Sequence, residues 1–133
     1  MTIDYKQPVT IRPAAILTTN YVAATTIGKE TTDTTKVNEY NQLILYIDFT
    51  KGSLTSAEIK VEFSPDNTNF YQESHEKLDS GISNIYTLTY TFSDSGSYRI
   101  PIQCNDRYIK VSAKGTGTVA GSSMTIKAAL GVN

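Results

Sequence analysis

Residues 42–72, QLILYIDFTKGSLTSAEIKVEFSPDNTNFYQ, decide the fold class. Leu43, Leu45, Ile47 and Phe49 alternate with Ile44, Tyr46, Asp48 and Thr50, the period of two that a pleated strand requires. Ile59, Val61 and Phe63 repeat the pattern, with Glu58, Lys60 and Glu62 between them as a solvated face. Residues 50–53 (TKGS) and 64–69 (SPDNTN) carry the small, polar and proline residues that bend a chain. The stretch therefore predicts two long strands and a turn.

Working outward from this pair, the pattern stays β. Towards the N-terminus, Val9, Ile11, Ile16 and Leu17 surround Pro8 and Pro13, which confine residues 1–20 to an edge strand or an extended arm. Residues 18–38, TTNYVAATTIGKETTDTTKVN, offer only Tyr21, Val22, Ile27 and Val37 as anchors. They read as a surface loop, or as an arm that orders against a neighbouring subunit. Residues 1–40 thus read as an extended arm or a loop-rich N-terminal segment of one domain spanning 1–133.

Beyond the pair, QESHEKLDSGISN is polar, and residues 73–78 are read as at most one short helical turn. IYTLTYTF (85–92) predicts a strand with Tyr86, Leu88, Tyr90 and Phe92 on the core and threonines in water. Pro101 marks residues 98–104 as an edge or bulged strand. Ile109, Val111 and Ala113 point inward from the next strand. Met124, Ile126, Ala128 and Leu130 close the domain after a glycine-rich hairpin connection at 115–123. Seven or eight strands with turns every ten or so residues predict an all-β antiparallel sandwich, jelly-roll or a related Greek key.

Composition narrows the function. Threonine occurs 19 times and serine 12, alongside 9 tyrosines, which favours strands and turns over helices. A net charge of −1 gives no electrostatic footing for nucleic acid or an anionic membrane. A single cysteine leaves no internal disulfide and no thiolate metal set, and Cys104 reads as a small core residue. The opening MTIDYKQPVT does not read as a secretory signal, and no apolar run reaches membrane-helix length.

No reactive constellation stands out. His75 is the only histidine, and its neighbours Ser74 and Glu76 are too near in sequence to build a triad with it. Asp66, Asn67 and Asn69 have oxygens at calcium-like spacing, yet a Pro-Asp-Asn turn uses the same residues simply to bend. Glu73, Glu76 and Asp79 lack the apolar surroundings that raise a glycosidase carboxyl pKa. Neither a catalytic nor a cofactor or metal site is expected, and the chain is not read as an enzyme.

Two resemblances bear on function. The run FTKGSLTSAEIKVEFSPDNTNFYQES followed by RYIKVSAKGTGTVAGSSMTIKAAL resembles small β-sandwich virion proteins of tailed bacteriophages. The matching places are the 64–69 turn with Phe70 and Tyr71, and the Gly-Thr-Gly hairpin at 115–123. That resemblance implies a capsid decoration or auxiliary protein, made in the host bacterial cytoplasm and incorporated in the virion. Its expected partners are itself, as a homotrimer, and the major capsid protein. Ile11, Tyr21, Ile27, Val37, Phe70 and Tyr71 are the candidate contact residues. Secondly, Arg107-Tyr108-Ile109-Lys110-Val111 resembles a strand of discoidin-like jelly-roll modules. This implies the alternative of a phage tail or fibre module, or another carbohydrate- or cell-surface-binding sandwich.

Overall fold

The computed structural model describes residues 4–5, 7–28 and 41–132. Thirteen strand segments follow one another without a helix among the described residues: β1 (Asp4–Tyr5), β2 (Val9–Ala15), β3 (Val22–Ala23), β4 (Ile27–Gly28), β5 (Gln42–Thr50), β6 (Leu54–Ser64), β7 (Tyr71–Gln72), β8 (Ser74–Asp79), β9 (Ile82–Thr87), β10 (Thr89–Phe92), β11 (Gly96–Gln103), β12 (Tyr108–Gly117) and β13 (Ser123–Val132). Four are two-residue bridges and two form a separate hairpin, which leaves seven substantial strands in two antiparallel sheets. In the first sheet β5 lies between β11 and β13, and β1 and β2 both add to the far side of β13. In the second, β6 and β12 form the centre, flanked by β7 and β10 on one side and β3 and β4 on the other.

The two long strands that decide the fold do not pair with each other. β5 belongs to the first sheet and β6 to the second, so the turn between them carries the chain across the core. Their apolar rows explain this. Leu43, Leu45, Ile47 and Phe49 are buried on one side of a single cluster, and Ala57, Ile59 and Val61 are buried on the other. A hairpin would have placed both rows on one sheet and left them without an opposite layer. The connection after β12 behaves the same way. Residues 115–123 were expected to close a hairpin; instead β12 pairs in the second sheet and β13 in the first.

Inward residues follow the alternation closely. Ile109, Val111 and Ala113 of β12 and Met124, Ile126 and Ala128 of β13 are all buried in the common cluster, as is Cys104. β11 ends the first sheet, where Pro101 deprives no second neighbour of a ladder bond. β2 is likewise an outer strand, paired only with β13.

Three further expectations need correction. Residues 74–79 are strand, not a helical turn, because they pair register by register with residues 82–87. The strand expected over 85–92 breaks at Leu88, and of its four core-facing side chains only Phe92 is fully buried while Tyr86 is exposed. Residues 18–28 are not a free loop: β3 and β4 pair with β12, and Gly115 N–H donates to Thr18 O at 2.7 Å. The remainder of the 18–37 segment, with Val37, lies outside the described residues.

Candidate interaction surfaces

On the outer face of the second sheet, two glutamates are ion-paired among three lysines. Across the β6/β12 ladder, Glu58 stands opposite Lys114 and Glu62 opposite Lys110. Lys114 Nζ lies 3.0 Å from Glu58 Oε1, and Lys60 Nζ 3.6 Å from Glu62 Oε1. Two aromatic rings cap these cations. Lys60 and Lys114 sit 4.6 and 5.0 Å from the Tyr21 ring centre, and Lys110 sits 4.1 Å from that of Phe70. Burial, then the charge of Glu58 and a hydrogen bond to it, pushes the Tyr21 phenol up to about 12.

The candidate contact residues therefore do different jobs. Ile11 and Ile27 are buried in the core and present no side chain to a partner. Tyr21 and Phe70 are half-buried covers of the lysine ladder. Tyr71 alone of the described set is broadly exposed, at 65%.

The 64–69 turn is held by its own carboxylate. Asp66 accepts from Asn69 N at 2.8 Å, Thr68 N at 2.9 Å, Asn69 Nδ2 at 2.9 Å and the Ser64 hydroxyl at 3.0 Å. These donors hold its pKa well below the ordinary carboxylate range, with the Asn69 backbone N–H the largest cause. Asn67 takes the left-handed conformation at φ 59°. Both Asp66 carboxylate oxygens thus already accept from N–H groups of the turn. Among the described residues, no three His, Cys, Asp or Glu side chains gather as a metal set.

The β8/β9 hairpin stands apart. It pairs with neither large sheet, and all twelve of its strand residues are exposed. Its two-residue loop has Ser80 at φ 51° and Gly81 at φ 78°, the paired left-handed conformation of a type I′ turn. Cross-strand partners put Glu76, Ile85, Leu78 and Ser83 on one face, and His75, Tyr86, Lys77, Asn84, Asp79 and Ile82 on the other. Leu78, Ile82 and Ile85 are 64–69% exposed, an apolar load on both faces. His75 stacks on Tyr86 with ring centres 6.0 Å apart. Glu76 accepts from the Ser83 hydroxyl at 2.8 Å, and Glu73 from Tyr90 at 3.2 Å. The sequence carried a signal for this ribbon: Asp79-Ser80-Gly81 between two stretches with branched residues.

On the outer face of the first sheet lies an open groove of about 590 Å³. A single cross-strand row crosses it: Thr10 on β2, Lys127 on β13, Tyr46 on β5 and Arg99 on β11. In the next row, Ser97 donates to Asp48 Oδ1 at 2.6 Å. Gln7 and Pro8, just before β2, form one wall. Comparison with protein-family models and with curated protein sequences finds no match.

Proposed function

We propose that this protein is a non-enzymatic structural subunit of a tailed-phage virion, a capsid decoration or auxiliary protein that assembles as a homotrimer on the major capsid protein. One observation carries the reading: a hairpin with three large aliphatic side chains exposed on its two faces and no sheet to support it. A two-stranded ribbon is marginal alone in water, and apolar side chains on both sides gain stability only when a partner covers them. The hairpin is the element through which copies meet, and the rigid sandwich holds it in place. The resemblance of residues 42–130 to small phage virion sandwiches supplies the biological setting.

In such an assembly each protomer needs only modest affinity, because contacts repeated around a symmetry axis act together. The test is the mass in solution of the wild type and of a Leu78→Ser/Ile85→Ser variant. A wild-type trimer that dissociates in the variant supports the reading. A wild-type monomer contradicts it.

A further inference from the structure

We infer that the groove on the outer face of the first sheet is a binding site for a carboxylated saccharide. The residues that line it are arranged for one negative charge and several hydroxyl groups. Lys127 and Arg99 flank Tyr46 from the strands on either side, so their backbones lie roughly 10 Å apart by the spacing of neighbouring strands. Both side chains are long enough to converge above the tyrosine. Neither makes an ion pair with a described residue, in contrast to the ion-paired Lys/Glu ladder of the other sheet. Two cations on one row, neither ion-paired among the described residues, favour a single anionic group between them, and the planar guanidinium suits a carboxylate held by two bonds.

The remaining groups select the rest of the ligand. Half-buried Tyr46 offers an aromatic surface against which the apolar side of a sugar ring can rest, and a phenol that donates. Asp48 accepts from Ser97 with one oxygen, which leaves its second oxygen to accept from a ligand hydroxyl. Thr10 contributes a further donor and acceptor at the opposite end of the row. Asp48 also argues against an acidic peptide. It shares a face with Tyr46 two residues along the strand, where it repels a second carboxylate while it welcomes hydroxyls. The groove volume falls within the range of small-molecule sites and matches one or two sugar rings.

An open, solvent-washed groove implies weak binding, on the order of 1 mM per site, that weakens further with salt. The site is independent of whether the protein is a trimer. The test is a titration of the ¹⁵N-labelled wild-type protein followed by amide NMR shifts. The probes are a glucuronic-acid disaccharide, sialyllactose, neutral lactose and a tetraglutamate peptide. Shifts on β5, β11 and β13 with one or both acidic sugars, absent with lactose, support the site; which sugar acts identifies the source of the carboxylate. Arg99→Gln and Lys127→Gln each weaken that binding about tenfold, the worth of a charged hydrogen bond, without altering the unperturbed spectrum elsewhere. No binding of either acidic sugar at 20-fold ~1 mM overturns the inference. So do equal binding of lactose, preference for the peptide, or full affinity in both variants.

Discussion

Gly52 shows how single residues hold the crossing between sheets. Its φ is +58°, and an added Cβ would lie 2.4 Å from the backbone carbon of Gly121. Gly81, at φ +78°, has nothing within 4 Å of the same position. Gly52→Ala therefore incurs both left-handed strain and a backbone clash, about 2–5 kcal/mol together, whereas Gly81→Ala incurs only the strain, about 1–2 kcal/mol. Urea unfolding of the two variants separates these costs, and equal losses would show that the 51–53 turn yields easily. Asp66 gives a pH signature. Its folded pKa is depressed below the ordinary 3.8, so the carboxylate's contribution is present above that value and fades as pH falls below it. Asp66→Ala should be less heat-stable than wild type at pH 7, and the gap should narrow below about pH 4. Tyr21 and Tyr90 move the other way, each pushed up to about 12 mainly by burial and secondarily by Glu58 and Glu73. Their neutral forms favour folding, a contribution complete below about pH 10 and lost as pH rises through 12. A 295 nm titration should find at least two late tyrosines, and Glu58→Gln should bring one of them down.

Strands whose inward apolar rows alternate were legible at the level of elements, and their partners were not. Leu43 to Phe49, Ile59 to Val61 and Ile109 to Ala113 point inward as the period of two requires, because a one-residue slip would expose the whole row. Whether a turn makes a hairpin or crosses to the facing sheet depends on the opposite layer, which local sequence does not contain. Residues 50–53 and 115–123 both fell on that ambiguity. β8 and the start of β9 escaped because their polar residues look like loop, and paired strands with solvent on both faces show little alternation to detect. Tyr46, Arg99 and Lys127 lie on three strands far apart in the chain, so their groove emerges only with the register. The hairpin makes a prediction of its own. Leu78→Ser and Ile85→Ser remove side chains that are 68% and 69% exposed, so each should change monomer stability by no more than about 0.5 kcal/mol. Leu45→Ala, at a fully buried position, should cost about 2–5 kcal/mol in the same denaturant experiment.

For the whole molecule, the balance between satisfied and unsatisfied surface points outward along the hairpin. The core is filled from both sheets, both glutamates on the outer face of the second sheet are ion-paired to lysines, and the 64–69 turn is tied by its own carboxylate. Among the described residues, β8 and β9 carry the densest exposed apolar load, with Leu78, Ile82 and Ile85 each 64–69% exposed. The most direct measurement is light scattering behind a sizing column, at low micromolar concentration, on the wild type beside Leu78→Ser/Ile85→Ser. A structural subunit that assembles through its hairpin predicts a wild-type mass near three times 14.6 kDa and a variant mass near 14.6 kDa. A wild-type protein that runs as a 14.6 kDa monomer, or a variant that keeps the trimer mass, would contradict that assembly.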